Sequence, residues 1–319
     1  MAEKPELLSI GKMLLPSHKE KLSQHFNVYY MPDMLPPAER AAAMKDYAHR
    51  LRFVQTSGTL GADAALINSL PKLEIISCFA VGVDKVDLAA AKARGVRVTN
   101  TPDVLNNCVA DLAMGLMISA SRRIAEADAY TRAGKWTYDG SFGLSSRVTG
   151  KRLGIIGLGK IGKAIAKRAA AFDMPIAYHG RNKQTDVPYT FYADPAEMAK
   201  NSDVIIVICP GGEATRNIVN DKVIRALGPK GLLVNVSRGS TVDEPALIKA
   251  LKEGALGAAA LDVFAKEPAP ASELFGMANV VVVPHIASAT HETRTDMGNL
   301  VIENLLAQLN GKPLITPVV

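Results

Sequence analysis

The stretch 153-LGIIGLGKIGKAIAKRAAAFDMPIAYHGRNK-183 carries the clearest fold signal in this sequence. It opens with an apolar run typical of a buried strand, continues with a glycine turn at the spacing G-x-G-x-x-G, and then shows apolar residues at helical spacing. A second strand is expected at 176–179. This order suits a dinucleotide, because the glycines let its pyrophosphate approach the backbone and a helix N-terminus attracts anions. The turn residues predicted to bind the dinucleotide are Gly157, Gly159, Lys160, Ile161 and Gly162.

The residues after the second expected strand indicate which dinucleotide is bound. NAD sites usually place an acidic residue about 20 residues beyond the glycines, whereas an Arg there accommodates the 2′-phosphate of NADP. Residues 176–185 contain no acid, but Arg181 lies 24 residues after Gly157 (181 − 157). A charge-assisted contact of this kind contributes about 1.5–3 kcal/mol. We therefore expect NADPH to be preferred over NADH; the alternative is a solvated basic turn. The residues predicted at the ribose are Gly180, Arg181, Asn182 and Lys183.

The composition is that of an ordinary globular protein, with 48% apolar and 21% charged residues among 319. No segment approaches the ~18 apolar residues of a membrane span, and residues 1–12 lack the apolar core of a signal peptide, so we expect a cytoplasmic protein without a membrane partner. The net charge of +6 comes without a basic, aromatic-rich cluster, which favours small anions over nucleic acid. Cys78, Cys108 and Cys209 are expected to be reduced, buried thiols and not metal ligands.

Short apolar runs alternate with helical patterns along the whole chain, which is typical of parallel sheets covered on both faces. One long helix is expected at 103–121, a polar and irregular stretch at 122–149, and a last helix at 291–309 that returns to the first domain before a short strand near 314–315. We predict an α/β fold with two doubly wound parallel-sheet domains. They are a Rossmann dinucleotide-binding domain at 101–286 and a smaller, flavodoxin-like substrate domain formed by 1–100 and 287–319.

Three polar residues directly follow expected strands of the dinucleotide-binding domain, namely Arg238, Glu267 and His285. Because ligands of open α/β sheets bind beyond the carboxyl ends of the strands, these side chains are expected at one ligand-binding edge. An imidazolium can protonate the oxyanion formed when a hydride reduces a 2-oxo acid, and a neighbouring carboxylate orients it and favours its charged form. A guanidinium can polarise the carbonyl and bind the substrate carboxylate.

Each of these residues also has a plainer interpretation. Arg238 could pair only with cofactor phosphates, Glu267 could start a helix, and His285 could be an ordinary loop histidine, with His291 as a reserve proton donor. The loop 79–84 of the first domain could likewise present backbone N–H groups to a carboxylate or be an ordinary turn. These alternatives stay open at the level of sequence.

A set of motifs spread over the whole chain resembles one enzyme family. They are, in order, Val81-Gly82-Val83-Asp84, Asn100-Thr101-Pro102, the glycine turn 157–162, Asn235-Val236-Ser237-Arg238-Gly239, Ala260-Leu261-Asp262-Val263-Phe264, Glu267-Pro268 and Pro284-His285-Ile286-Ala287-Ser288. The sequence is similar to the D-isomer-specific 2-hydroxyacid dehydrogenases, and most similar to the glyoxylate/hydroxypyruvate reductases that prefer NADPH.

This resemblance implies a role for each matching residue. Arg238, Glu267 and His285 match the family's catalytic residues, and Asp262 matches a cofactor-binding residue near the nicotinamide. The residues implied to bind substrate are Val81, Gly82, Trp136, Arg238 and His285. Further positions implied to bind the cofactor are Cys209, Pro210, Val236 and Ser288.

The resemblance also implies a homodimer joined through the long helix and the arm after it, with Trp136 reaching the neighbour's active site. Two positions depart from the family pattern. Gly211-Gly212 follow Pro210 where many relatives have Leu-Thr, and Asn106-Asn107 stand where Thr or Asp is common.

The expected function is reduction of small 2-oxo acids, glyoxylate or hydroxypyruvate first, to D-2-hydroxy acids. Reduction of 2-keto-D-gluconate or of an aryl pyruvate is the alternative within the same class. A dinucleotide-sensing, corepressor-like binding protein is the alternative from a different class.

Overall fold

The computed structural model describes residues 4–31, 34–268 and 271–319, apart from the side chain of Ser272. The contacts divide the chain into two compact units, Met1–Leu105 with Ala289–Val319, and Asn106–Ser288. The division of labour between 1–100 with 287–319 and 101–286, as substrate and dinucleotide domains, stays a prediction.

The first unit is built on a five-stranded parallel sheet. Its strands are β1 (Glu6–Ile10), β2 (Asn27–Met31), β3 (Leu51–Ser57), β4 (Ile75–Phe79) and β5 (Arg97–Thr99). The helices between them are α1 (Pro16–His25), α2 (Pro37–Met44), α3 (Ala64–Ser69) and α4 (Leu88–Ala93). The strand order β2-β1-β3-β4-β5 is that of flavodoxin-like folds. Every residue of β1 and β4 is buried, as expected for parallel strands covered on both faces.

The second unit is built on a seven-stranded parallel sheet. Its elements are α5 (Asn106–Arg122), α6 (Ile124–Arg132), β6 (Leu153–Ile156), α7 (Lys160–Ala170), β7 (Ile176–His179), β8 (Thr190–Tyr192), α8 (Pro195–Lys200), β9 (Val204–Val207), α9 (Asp221–Leu227), β10 (Leu232–Asn235), α10 (Glu244–Lys252), β11 (Ala258–Leu261) and β12 (Val280–Val282). Short 3-10 turns lie at Glu213–Thr215, Gly239–Thr241 and Ser272–Leu274. The order β12-β11-β10-β9-β6-β7-β8 contains the Rossmann order, extended by one edge strand. The predicted α/β fold of two doubly wound parallel-sheet domains is confirmed.

The last helix, α11 (His291–Leu309), belongs to the first unit, where it packs against α1 and β4. The prediction of a strand near 314–315 was wrong. The side-chain oxygen of Asn304 accepts the N–H groups of Ile315 and Thr316 at 3.0 and 3.1 Å, so these groups are not available to a sheet. Pairing starts later, where a single bridge joins Thr99 to Pro317 and the Val98 carbonyl accepts the N–H of Val318 at 2.7 Å.

Acidic and amide side chains mark where several helices begin. The side chains of Asp63, Asp87, Asp194, Asn220 and Asp243 each accept a bond from a backbone N–H in the first turn of the helix that follows. These residues are local signals, because each cap needs only a neighbour two or three positions along the chain.

Two expectations for the region around α5 and α6 need correction. The helix expected at 103–121 begins at Asn106, since Asp103 has a φ of 71° and cannot continue it. The stretch 122–149 is not irregular throughout, because it contains α6. No residue of α6 is buried in this chain, and its sequence, IAEADAYTR, alternates charged residues with small apolar ones, so it gives a weak helix signal.

The glycine turn between β6 and α7 is shaped by close backbone contacts. Gly157 has a φ of +102°, and a Cβ there would lie 2.7 Å from the Cα of Cys209. A Cβ at Gly162 would overlap the carbonyl oxygen of Gly157, whereas one at Gly159 would meet no atom of the chain within 4 Å. Gly157 and Gly162 therefore serve the packing of the turn, and Gly159 faces open space.

No helix among the described residues is long and apolar enough to cross a membrane. No disulfide joins the three cysteines, and Cys78 and Cys209 are buried, whereas Cys108 is only half-buried. The expectation of buried thiols is therefore met by two of the three.

The contacts of the glycine turn predict unequal losses of stability for the same substitution at two of its glycines. Gly162→Ala should lower the free energy of unfolding by about 1–3 kcal/mol, because the new methyl group displaces the Gly157 carbonyl. Gly159→Ala, the matched control, should cost less than ~1 kcal/mol, since only its preference as an N-cap changes. Urea denaturation of both variants measures the difference, and equal losses would contradict this account of the turn.

Candidate active site

A histidine and a glutamate form a short hydrogen bond beyond the carboxyl ends of β11 and β12. The Nδ1 atom of His285 lies 2.6 Å from Oε2 of Glu267, and both side chains are partly exposed. His285 has a left-handed backbone with a φ of 52°, and its N–H donates to the carbonyl of Asp262 at 3.0 Å. A non-glycine residue in this conformation needs support from its surroundings. The turn that presents the imidazole is therefore held by the neighbouring strand.

The support comes from the carboxylate of Asp262, which is fully buried at the end of β11. One carboxylate oxygen accepts the N–H of Ile286 at 2.6 Å, and the other accepts the N–H of Ala287 at 3.1 Å. Burial raises the pKa of Asp262, and these two bonds partly offset the rise. The structure thus places Asp262 beneath the His285 turn; its expected contact with the nicotinamide stays a prediction.

The second oxygen of Glu267 is also occupied, because it accepts the N–H of Phe264 at 3.0 Å. Burial alone would raise the pKa of Glu267, but the hydrogen bonds from His285 and Phe264 and the charges of His285 and Arg238 together hold it below its ordinary value. The carboxylate is therefore ionised near neutral pH and is fixed at both of its oxygens.

Arg238 is brought to the same edge by a buried polar network after β10. The amide of Asn235 donates to the Arg238 carbonyl at 3.0 Å, and the Thr241 hydroxyl donates to the same carbonyl at 2.7 Å. Ser237 joins the two side chains by bonds to each. A Cβ at Gly239 would overlap the carbonyl of Phe264, so the Arg238 turn lies directly on the segment that fixes Glu267.

The glycine turn fits the diphosphate of a dinucleotide. The first turn of α7 has no side-chain cap, which leaves its N–H groups and positive dipole end available to an anion. The open positions at Gly159 and Gly180 lie beyond the carboxyl ends of the adjacent strands β6 and β7. The uncapped start of α7 and the open space at the two glycines are both features of the fold itself. The residues present therefore fit a dinucleotide at this edge.

The other positions expected at the cofactor lie along the same edge. Cys209 is buried after β9, and burial raises the pKa of its thiol to about 11, so the thiol is neutral at physiological pH. Pro210 follows it on the surface, and its carbonyl accepts a bond from the Thr215 hydroxyl at 2.6 Å. Val236 is buried after β10, and Ser288 is half-buried after the His285 turn.

The loop after β7 presents two cations to solvent. Arg181, Asn182 and Lys183 are exposed, and in the part of the chain that the structure describes neither Arg181 nor Lys183 has a side-chain hydrogen bond or ion pair. The nearby carboxylate of Asp186 is paired with Lys163 of α7 at 2.6 Å. The loop therefore offers unpaired positive charge.

Three residues expected at the substrate lie in other parts of the chain. Val81 and Gly82 belong to the other unit, where their N–H groups have no hydrogen-bond partner among the described residues. Trp136 is 76% exposed on the arm after α6. Their expected part in substrate binding stays a prediction. The reserve proton donor, His291, begins α11 in the first unit.

Sequence reasoning missed the residues that support the functional side chains. The network of Asn235, Ser237 and Thr241 lies within the quoted motif, and polar residues at the end of an apolar strand were a usable signal for it. Gln184, which binds the glycine turn, gave no such signal. No cluster of metal-ligating side chains occurs in the described segments.

The chain matches known proteins over most of its length. The family described as D-isomer specific 2-hydroxyacid dehydrogenase, NAD binding domain, matches residues 114–287. The chain is 54% identical to a hydroxyphenylpyruvate reductase of Plectranthus scutellarioides over 85% of this chain and 87% of that protein. It is 52% identical to a glyoxylate/hydroxypyruvate reductase A of Arabidopsis thaliana over 88% of this chain and 90% of that protein.

A solved structure shares the whole fold. It is the NADPH-dependent glyoxylate/hydroxypyruvate reductase of Sinorhizobium meliloti in complex with NADP and malonate, which is 40% identical, covers 99% of this chain and 97% of its own, and has a TM-score of 0.92. The family match and the glycine turn agree on a nicotinamide dinucleotide as the cofactor. The chain belongs to the D-isomer specific 2-hydroxyacid dehydrogenase family.

Proposed function

We propose that this enzyme uses NADPH to reduce small 2-oxo acids, glyoxylate and hydroxypyruvate first, to D-2-hydroxy acids. The observation that carries the proposal is the 2.6 Å bond between His285 and an ionised Glu267, beside the charge of Arg238. This is the set of groups that carbonyl reduction needs, namely an acid, its orienting base and a cation.

The roles of the three residues follow from their contacts. A bound nicotinamide cofactor supplies the hydride that reduces the substrate carbonyl. His285 has Nδ1 engaged by Glu267, which leaves Nε2 to deliver a proton to the carbonyl oxygen. Glu267 favours the imidazolium and fixes the plane of the ring. Its own orientation is secured by the Phe264 N–H.

Arg238 is the group that we assign to the substrate carbonyl and carboxylate. A guanidinium can donate two parallel bonds to a carboxylate, and its positive charge stabilises the negative charge that develops on the carbonyl oxygen. The N–H groups of Val81 and Gly82 have no hydrogen-bond partner among the described residues, and we assign them to a substrate carboxylate as the family resemblance implies. Their contribution completes the proposed substrate contacts.

The preference for NADPH rests on the loop after β7. Arg181 and Lys183 are unpaired cations within the described residues, and the acid that would bind a ribose 2′-OH is missing from residues 176–185. A 2′-phosphate supplies the negative charge with which these two cations can pair.

This function predicts the outcome of one assay. NADPH oxidation should be fastest with glyoxylate or hydroxypyruvate, and the KM for NADPH should be at least ~10-fold below that for NADH, because a charge-assisted contact is lost with NADH. Absorbance at the nicotinamide band, measured with 2-keto-D-gluconate and hydroxyphenylpyruvate as further substrates, ranks the alternatives. An absence of turnover with every 2-oxo acid would favour the dinucleotide-sensing protein, and a strong preference for NADH would refute the cofactor assignment.

The matched variants for this assay separate a specific contact from general electrostatics. Arg181→Ala should raise the KM for NADPH by about 10- to 100-fold and leave that for NADH nearly unchanged. Lys230→Ala removes an exposed charge before β10, at the opposite end of the strands, and should change neither constant.

A second candidate function is reduction of aryl pyruvates. The 54% identity to a hydroxyphenylpyruvate reductase favours it, because the chain is as similar to that protein as to the glyoxylate/hydroxypyruvate reductase A. The chemistry assigned to His285, Glu267 and Arg238 is the same in both cases, since only the group beyond the 2-oxo acid differs.

His285 is predicted to be the proton donor. His285→Gln should lower kcat by about 10²–10⁴, because the proton must then come from water. The Kd for NADPH, measured by fluorescence titration, should stay within a few-fold of the wild-type value. The same substitution at His25, an exposed residue at the end of α1, is the control and should leave kcat unchanged.

The dependence of kcat on pH is a second readout of His285. Because the pKa of Glu267 is lowered, its carboxylate stays ionised in the physiological range, and proton delivery requires the protonated form of His285. Reduction should therefore weaken as pH rises and the imidazolium loses its proton. A flat profile into alkaline pH, or full activity of His285→Gln, would place the donor elsewhere, with His291 the next residue to replace.

The proposal includes a homodimer formed through α5, α6 and the arm that follows. No residue of α6 is buried, and Ile124 and Leu144 are 50% and 96% exposed. The arm is nevertheless ordered on α6, since the Arg123 guanidinium lies 4.4 Å from the centre of the Phe142 ring and binds both oxygens of Glu126. An ordered apolar surface of this kind is typical of an interface.

Sedimentation velocity tests this interface. The wild-type chain should sediment as a dimer, and Leu144→Asp should shift it towards the monomer, because a carboxylate buried in an apolar contact lacks a partner. Leu144→Met, which keeps the apolar area, is the control. A monomeric wild type would contradict the proposal.

A further inference from the structure

Gln184 connects the loop after β7 to the glycine turn. Its side-chain amide donates to the carbonyl of Leu158 at 2.7 Å, and Leu158 lies between Gly157 and Gly159. The two loops leave the sheet side by side, since β6 and β7 are paired as far as Ile156 and His179. The bond therefore joins the segment suited to the diphosphate with the segment that carries Arg181 and Lys183.

A buried tyrosine fixes the backbone at the same residue. The hydroxyl of Tyr178 accepts the Gln184 N–H at 2.6 Å, and the Tyr178 side chain is fully buried in β7, where its ring packs 5.3 Å from that of Phe191. Gln184 is thus held through its main chain by the sheet and through its side chain by the glycine turn. The loop between Gly180 and Gln184 is therefore fixed at its start by β7 and at its end by the hydrogen bonds of Gln184.

A second connection joins α7 to the segment that follows Gln184. Lys163 of α7 pairs with Asp186 at 2.6 Å, and both side chains are substantially exposed. Exposed ion pairs contribute little, so this pair is the weaker of the two connections. It also engages the one acid of the segment 180–186, which leaves Arg181 and Lys183 unopposed.

We propose that Gln184 is a positioning residue for cofactor selection, which holds the Arg181 and Lys183 loop against the glycine turn in readiness for the 2′-phosphate. This inference rests on the proposed preference for NADPH. Arg181 and Lys183 have long, flexible side chains, so a mobile loop would have to be ordered whenever the phosphate binds. The Gln184–Leu158 bond removes part of that cost before binding, which is the general effect of preorganisation.

The role of Gln184 should appear in the binding of two small nucleotides to the complete protein, without turnover. Adenosine 2′,5′-bisphosphate carries the additional phosphate and 5′-AMP lacks it. Gln184→Met keeps the shape of the side chain and removes the donor, and it should weaken binding of the bisphosphate by about 3- to 10-fold, the range of one hydrogen bond. Binding of 5′-AMP should change less than about twofold. Isothermal titration calorimetry measures both affinities.

Two further variants complete the design. Thr185→Ala alters the exposed neighbour, whose side chain has no hydrogen bond in the described structure, and should leave both affinities unchanged. Arg181→Ala should weaken binding of the bisphosphate by about 10- to 100-fold. The double variant of Arg181 and Gln184 should lose less than the product of the two single effects, because Gln184 acts through the loop cations.

The outcomes separate this inference from the proposed function. If Arg181→Ala weakens bisphosphate binding and Gln184→Met does not, the preference for NADPH stands and the role of Gln184 is refuted. If Gln184→Met weakens both nucleotides equally, Gln184 supports the turn in general and the inference is again refuted. If Arg181→Ala leaves the bisphosphate affinity unchanged, the cofactor assignment fails and the inference fails with it.

Discussion

The two hydrogen bonds that the buried Asp262 carboxylate accepts are the interaction on which the arrangement of Arg238, Glu267 and His285 depends. A fully buried carboxylate is costly unless its oxygens are hydrogen-bonded, and here each oxygen accepts one backbone N–H from the turn after His285. These bonds stabilise the left-handed conformation of His285, which directs its imidazole towards Glu267. The geometry of the proposed proton donor is thus determined by a residue that lies beneath it.

Sheet order explains why residues distant in sequence share one site. β10, β11 and β12 are neighbours in the sheet, and Arg238, Asp262 with Glu267, and His285 follow them in that order. Parallel strands end on the same side, so each crossover helix returns the chain to the same edge. The close approach at Gly239 then sets the Arg238 turn against the backbone of Phe264, whose N–H binds Glu267.

Close backbone contacts and supporting hydrogen bonds also shape the loops that follow β6 and β7. Gly157 and Gly162 allow the turn and helix to pack, Gly159 leaves space, and Gln184 joins the turn to the loop of basic residues. Functional side chains at both ends of the sheet therefore depend on supporting residues that are buried or half-buried. The supporting bonds involve backbone groups, so they fix the course of the chain as well as single side chains.

The sequence by itself determined the fold class, the glycine turn, the helix 291–309 and the placing of Arg238, Glu267 and His285 after strands of one sheet, because each is marked by local spacing or by a motif. Only the tertiary structure revealed α6, whose short sequence mixes charged and small apolar residues, and the end of the chain, where the Asn304 side chain accepts the N–H groups of Ile315 and Thr316. It also decided the partners of Asp262 and Gln184, which lie 24 and 26 positions away in sequence. Periodicity reports which face of an element is buried, but a hydrogen bond between distant segments depends on where folding brings their backbones together.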